Sequence, residues 1–420
     1  MSLERTEVEQ ILPRDSKART LIELLRQRAL HQPLRTAYTF LSEGQSEECL
    51  TYGGLEIRAR AIAARLQTTV APGERVLLLY PSGLEYICAF WGCIYAGVVP
   101  VPAYPPRANR NLARLRSIVS DAQAVAALAG SAIISRLQPL LALTRELQSL
   151  HWMMAPNDEL GKLAQEWVEP DIDANTLAFL QYTSGSTAAP KGVMVTHGNL
   201  LHNEELIRHV FRQSEESVIV GWLPLYHDMG LIGNVLQPLY LGATCILFSP
   251  TTFLQQPYRW LEAISRYHAT TSGGPNFAYD LCVDKITAAE RATLDLSSWT
   301  TAFNGAEPIR AETLERFGDA FGPCGFRPEA FYPCYGLAEA TLLVTGKLNS
   351  KRPSIRVVDA KTLENNRVVN SSAGNEGVRL LVGCGNVLAD QRIVVVNPRT
   401  RVECSSDEVG EILVSGPSVA

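Results

Sequence analysis

The sequence has no excess of positive charge, no paired-cysteine motif and no long unbroken apolar run. Its formal net charge of −5 disfavours a nucleic-acid-binding surface, which needs clustered Lys and Arg to neutralise phosphates. Nine cysteines are present, an odd number with no C-x-x-C spacing. That argues against a disulfide framework or a zinc knuckle and fits a reducing cytoplasm. The first fourteen residues are charged and lack the apolar core of a secretory signal. Two long uncharged stretches, 86–106 and 229–258, stop short of a membrane span of ~20 continuous apolar residues. The first breaks at Gly97 and Pro100, the second at Asn234, Gln237, Pro238 and Gly242. The expectation is a cytoplasmic protein with no membrane span. Neither G-x-S-x-G nor H-E-x-x-H occurs, which removes the common hydrolase and zincin readings. The run from Gly383 to Gly385 lacks the third glycine and the following helix of a dinucleotide loop.

What is present is apolar material for a large core: 420 residues, 46% hydrophobic and 19% charged, enough for two or three subdomains. Strand-like runs at 75–80, 98–102, 176–182, 193–196 and 245–248 alternate with helical ones at 84–96, 199–211, 261–267 and 311–321. Thr196 is placed to cap the 199–211 helix. This alternation predicts an α/β fold with largely parallel, layered sheets. Two α/β subdomains are expected, at about 1–195 and 196–345. After Thr345 the texture changes: 346–377 is polar, with one strand-like piece at 355–358, and short β runs follow at 378–382, 392–396 and 411–414. A small β-rich subdomain is expected over 346–420.

One string stands out chemically: Tyr182-Thr183-Ser184-Gly185-Ser186-Thr187-Ala-Ala-Pro190-Lys191-Gly192. Four hydroxyls and two glycines between predicted strands offer O–H and N–H donors to phosphate oxygens, and Lys191 adds a mobile positive charge. It is not a Walker A loop, because Pro190 precedes the lysine and a strand rather than a helix follows. Three other strings accompany it. Tyr332-Pro-Cys-Tyr335-Gly336-Leu-Ala338-Glu339 carries a ring and a carboxylate. Phe303-Asn304-Gly305-Ala306-Glu307-Pro308 combines a turn with little side-chain bulk. Trp222-Leu-Pro-Leu-Tyr226-His227-Asp228-Met229-Gly230 places a histidine among apolar neighbours. Taken singly, each also fits an ordinary turn, a helix start or a structural histidine.

Together, in this order, the strings resemble the signatures of the adenylate-forming superfamily, and within it the fatty acyl-AMP ligases. The likeness runs from about Thr20 to Ala420. It implies the N-terminal domain of such an enzyme, with the β-rich end as a small distorted β-barrel. It also implies that Thr183, Ser184, Gly185, Ser186, Thr187 and Lys191 cradle the β/γ phosphates of ATP. Tyr335, Gly336 and Ala338, with Asn304, Gly305, Ala306 and Glu307, would surround the adenine. Glu339, with Thr183 as a possible helper, would hold Mg²⁺, for which carboxylate oxygen is suited. His227, Met229, Gly230, Gly273, Gly274 and Phe277 would line the acyl channel, with the glycines leaving room for an alkyl chain, and His227 beside the reacting carboxylate. Ala338 stands where most of the superfamily has Thr, a departure that the acyl-AMP ligases share.

The resemblance further implies fatty-acid adenylation followed by acyl transfer to the phosphopantetheine thiol of an acyl carrier protein. Arg107, Arg110 and Arg114 fall on one helical face that can meet an acidic carrier; a solvated helix face explains them equally. The polar stretch 346–377 sits where these ligases carry an insertion. The alternatives are acyl transfer to coenzyme A and a non-catalytic adenylate- or acyl-binding module. Gly416 to Ala420 falls inside a family motif, so the ribose-binding aspartate and the C-terminal domain with its catalytic lysine are expected outside these residues. These 420 residues alone are expected to turn over poorly.

Overall fold

The computed structural model describes residues 18–42, 46–105, 112–141, 144–183, 190–347, 351–372 and 374–420. The first strands, β1 (Thr36–Leu41) and β2 (Glu47–Thr51), form an antiparallel hairpin. Next come β3 (Arg75–Leu79), β4 (Val99–Pro102), β5 (Ala126–Ala129) and β6 (His151–Met153). They make a four-stranded parallel sheet in the order β4-β3-β5-β6. Between β3 and β4 runs the Leu84–Ala96 helix, with Tyr86 through Ala96 all buried. It stops at Gly97, whose φ of 70° is left-handed, and a Cβ there would lie 2.7 Å from Pro170, so only glycine suits this helix end. The first uncharged stretch is therefore a buried helix and a strand. No helix among the described residues is long and apolar enough to cross a membrane.

A hairpin of β7 (Leu177–Thr183) and β8 (Lys191–Thr196) follows. The His197–Val210 helix then starts on a capping box made by Thr196 and Asn199. Five parallel strands come next: β9 (Val218–Gly221), β10 (Thr244–Phe248), β11 (Thr271–Gly273), β12 (Thr301–Asn304) and β13 (Phe331–Pro333). They form a seven-stranded sheet ordered β13-β12-β11-β9-β10-β1-β2. The N-terminal hairpin thus completes the second sheet, with β1 parallel to β10. The expected boundary at residue 195 does not separate the sheets. The cause is burial: Tyr38 and Tyr52 are fully buried, and their hydroxyls donate to the carbonyls of Val235 (2.7 Å) and Ala243 (2.6 Å). A long apolar core holds residues from both sides of that boundary, among them Tyr86, Phe90, Leu231 and Leu239.

The last part is a set of short antiparallel pieces. β14 (Tyr335–Gly336), β15 (Leu343–Gly346) and β18 (Asn386–Val387) form one sheet, β16 (Ile355–Asp359) pairs with β17 (Val378–Val382), and β19 (Arg392–Val396) with β20 (Glu411–Ser415). No hydrogen-bonded ring joins them into a barrel among the described residues. The polar stretch 346–377 is more ordered than its composition suggests, because β16 pairs with β17 over five positions. Lys347 anchors its entrance by donating to the carbonyls of Glu329 (2.7 Å), Phe331 (2.8 Å) and Lys351 (3.0 Å). Near the other end, the buried Ser418 hydroxyl meets His202 at 2.6 Å and Asn203 at 3.1 Å, and its carbonyl accepts from Thr341 at 2.6 Å.

Candidate active site

Strands β9, β11, β12 and β13 are neighbours and parallel, so their carboxyl ends open on one side of the sheet. Strand order reverses at β9, whose sequence successor β10 lies on one flank and β11 on the other. In open α/β sheets ligands bind in the crevice outside such a reversal. The segments leaving these ends are 222–230, 274–277, 305–308 and 334–341. The β7–β8 hairpin is tied to the same place, since Gln181 Nε2 donates to the Tyr226 carbonyl at 3.2 Å. Tyr182 donates to Asp121 at 2.5 Å; burial, then this carboxylate, raises the phenol pKa. The hairpin register sets Thr183 opposite Lys191.

Between these elements lies a cavity of about 370 Å³. Thr183, His227, Met229, Ala306, Gly336 and Ala338 are among its lining residues. A second cavity of about 760 Å³ lies on the far side of the 222–230 loop, bounded by Trp222, Pro224, Phe277 and Arg136. Tyr226, His227, Met229 and Ala306 border both, so this loop is the partition between them. Its root is rigid: Trp222 is buried and stacks on Phe253 at 3.9 Å. At its tip His227 is exposed, with Nδ1 2.6 Å from Asp228 Oδ1. That contact, against the opposing effect of burial, raises the imidazole pKa and favours its cationic form. Glu339 is exposed, and its backbone carbonyl accepts from the Ala420 N–H at 2.9 Å. The Tyr335 phenol pKa is raised by burial and then by the charge of Glu339.

The AMP-binding enzyme family matches residues 25–420 of this chain. The chain belongs to that family. A medium-chain-fatty-acid–[acyl-carrier-protein] ligase of Moorena producens is 47% identical over 408 residues, covering 96% of this chain and 69% of that protein. A long-chain-fatty-acid–AMP ligase of Mycolicibacterium smegmatis is 35% identical over 395 residues, covering 92% of this chain and 62% of that protein. Among solved structures, the fatty acyl-adenylate ligase of L. pneumophila, in complex with acyl adenylate and pyrophosphate, superposes with a TM-score of 0.90 at 44% identity. The match covers 96% of this chain and 69% of that one.

Within this AMP-binding enzyme the expected residues divide by position. Ser184, Gly185, Ser186, Thr187, Arg107 and Arg110 lie outside the described residues. Arg114 is exposed on the Leu112–Ala122 helix and also borders the smaller cavity. Lys191 and Glu339 are not among the lining residues of either cavity; Lys191 lies across the hairpin from the lining residue Thr183, and Glu339 follows the lining residue Ala338. Tyr335 and Glu307 lie beside the lining without joining it. Instead of starting a capped helix, Glu339 sits in a single 3₁₀ turn, Ala338–Ala340.

Several glycines have packing roles. A Cβ at Gly192 would come within 2.9 Å of the Tyr182 ring, so this glycine clears the hairpin rather than a phosphate. Gly273 and Gly274 line neither cavity. A Cβ on Gly273 would strike Phe303, and one on Gly274 would lie 2.7 Å from Trp222; these glycines let β11 close against its neighbours rather than widen an acyl channel. At Gly230 a Cβ would strike the Pro224 carbonyl, so the loop can double back only with glycine there. Asn304 is fully buried and donates to Asn276 at 3.3 Å, bracing the turn from inside. The left-handed backbone of that turn falls on Ala306, with φ of 68°, not on Gly305. Gly305 instead packs beside Cys334, 3.2 Å from where its Cβ would be. Asp121, Gln181 and Asp228 were missed as supports. Only Asp228, adjacent to the candidate His227, left a signal in the sequence.

Proposed function

We propose that the protein adenylates a fatty acid and passes the acyl group to the phosphopantetheine thiol of an acyl carrier protein. The observation that carries this reading is the convergence of the ends of β9, β12 and β13 and the β7–β8 hairpin on one largely apolar cavity. The 47% identity with a ligase named for medium-chain fatty acids and acyl carrier protein supports it. In the first step a carboxylate oxygen attacks the α-phosphorus of ATP, the bond to the bridging oxygen breaks, and pyrophosphate leaves. A carboxylate is a weak nucleophile, so the protein's contribution is alignment and charge neutralisation. Lys191, with the hydroxyls from Thr183 onward, draws the β/γ phosphates to the open end of the hairpin. The Tyr335 ring and the turn at Ala306 bracket the adenine. His227, at the partition and biased toward its cation by Asp228, faces the reacting carboxylate. In the second step the thiol attacks the acyl carbonyl and AMP departs.

Among the described residues no cluster of three or more His, Cys, Asp or Glu side chains is built to cage a metal. A single exposed carboxylate fits Mg²⁺, which is usually held by one or two carboxylates together with substrate phosphates. Glu339 is the residue to hold it. When bound, Mg²⁺ supplies neutralisation of the phosphate charge.

The test uses the protein expressed from its whole gene, with pyrophosphate release and acyl-AMP followed by mass spectrometry over a series of fatty acids. Acid-dependent release is expected, with the acyl group moving to carrier protein when carrier and CoA compete. Lys191→Ala and Glu339→Gln are each expected to slow acyl-AMP formation on the order of a hundredfold. Absence of acid-dependent release would remove the reading, and acylation of CoA in preference to carrier would reassign the second step.

A further inference from the structure

The smaller cavity is not apolar throughout. Ile207, Phe211 and Leu343 share its lining with Gln213, Gln237 and Thr271. Those three polar residues are only 5%, 1% and 4% exposed, whereas His227 at the partition is exposed, so they mark the inner end. The Gln213 and Gln237 amides meet at 2.9 Å, and Gln213 Nε2 donates to Thr271 Oγ1 at 3.3 Å. Behind them the Glu204 carboxyl lies against the Gln237 amide. It is wholly buried, which pushes its pKa far above the carboxylate range and leaves it neutral. One Glu204 oxygen, and both amide atoms of the buried Asn234, have no partner among the described residues. The local backbone is unusual as well. Asn234 sits in a π-helical turn, Ile232–Leu236; Gly233 within it and Gln237, the first residue of the helix that follows, both line the cavity. Such turns recur at functional sites because the extra residue re-aims side chains.

A primary amide has two N–H donors and two acceptor lone pairs; Gln237 uses most of its own on Glu204 and the Arg208 N–H, while the contacts of Gln213 use one N–H and one lone pair. An alkyl terminus pressed against this end leaves the remainder unsatisfied in a dry site, which is costly. A hydroxyl or carbonyl at the same depth satisfies it. A charged terminus does not belong there: the nearby Arg208 guanidinium is engaged by Glu205 at 2.7 and 2.9 Å. The volume of about 370 Å³ lies near the small end of the ~300–1,000 Å³ usual for ligand pockets, and the acyl chain shares it with the side lined by Ala306, Gly336 and Ala338, which leaves room for a short or medium chain only. Building on the fatty-acid reading above, we propose that this enzyme selects short or medium acyl chains bearing an uncharged hydrogen-bonding group, hydroxyl or oxo, at the far end. Gln213, Gln237 and Thr271 are the specificity determinants.

The experiment compares kcat/KM for acyl-AMP formation from saturated acids of 6 to 10 carbons (~), each as the plain acid, the ω-hydroxy or ω-oxo acid, and the ω-carboxy acid, a series chosen to bracket a pocket of this size. At the best-fitting length, the hydroxy or oxo acid is expected to exceed the plain acid by about tenfold, with the dicarboxylic acid last. In Gln237→Met and Gln213→Met that ratio is expected to fall by at least about fivefold, since methionine keeps the volume and removes the amide. A wild-type preference for the plain acid at every length overturns the proposal, as does a ratio unchanged in both variants. The wild-type ratio decides the matter by itself if a variant does not fold. Failure of every acid to form acyl-AMP takes down the adenylation reading as well, an outcome distinct from plain acids winning.

Discussion

All four residues of β12 are buried, and none of the five in β20 is, although both strands are rich in strand-forming side chains. The difference lies in their neighbours. β12 runs between β11 and β13 in a parallel sheet and is covered by the Asn276–Lys285 and Ala311–Phe321 helices through Tyr279 and Phe317. A parallel strand with partners on both edges and helices packed over it becomes core. Among the described residues β20 has a single partner strand, β19, and a two-stranded ribbon is marginal without further support. Polar clasps supply part of that support, through Ser418 and through the ion pair of Arg367 with Asp407. The comparison teaches that the candidate site is carried by the rigid sheet, while the β-rich end is held by a few specific contacts.

The largest expected effect contrasts the two regions directly. Trp260 is fully buried, touches Trp222 and Trp299, and donates to Ser272 at 2.7 Å. Trp260→Ala is expected to cost about 3–5 kcal/mol in denaturant unfolding. Leu413→Ser, at a site 51% exposed, is expected to stay within about 0.5 kcal/mol. Comparable losses from the two would break the contrast and mean that another surface covers the ribbon. A smaller effect depends on pH and belongs to the body alone. His197 is buried and its Nδ1 accepts from the Leu21 N–H, and burial lowers its pKa to about 4. The folded state therefore resists a proton that the unfolded chain accepts near 6.5. Stability is complete above the unfolded value and declines as pH falls toward the folded one, by roughly 3 kcal/mol in all. Acid unfolding between pH 6.5 and 4 should lose this component in His197→Asn; an unchanged pH profile would show that the histidine is not the cause.

How much of this was legible in the sequence varies with the range of the cause. The Leu84–Ala96 and Ala311–Phe321 helices are set by local apolar patterning, and the structure has the bounds that patterning predicts. The segments around His227 and Tyr335 were legible because motif residues cluster at strand ends. The burdens on Gly273 and Gly274 were not, since they come from the ring of Phe303 on another strand and that of Trp222 at the start of the 222–230 loop. Gln213 and Gln237 were equally silent. They reach one cavity from the loop after one helix and the first residue of another, which share no pattern. The role of β1 as part of the second sheet depends on pairing with distant β10 and has no local mark.

The smallest expected effect bears on the partition. Asp228→Asn removes the contact that raises the His227 pKa, so the imidazole should titrate lower by NMR, with little change in melting temperature because the ring is 55% exposed. A ring that titrates unchanged would mean that Asp228 does not govern its charge.

The pairing of β1 with β10, Tyr38 opposite Cys245, also has a consequence in time. A ribosome adding ~5–20 residues per second makes the hairpin about ten seconds or more before its partner strand. During that interval the apolar face of β1 has no lasting cover. The edge of the large sheet is thus synthesised well before the strand on which it docks. The nascent chain is most open to mispairing while its active-site strands are still being made.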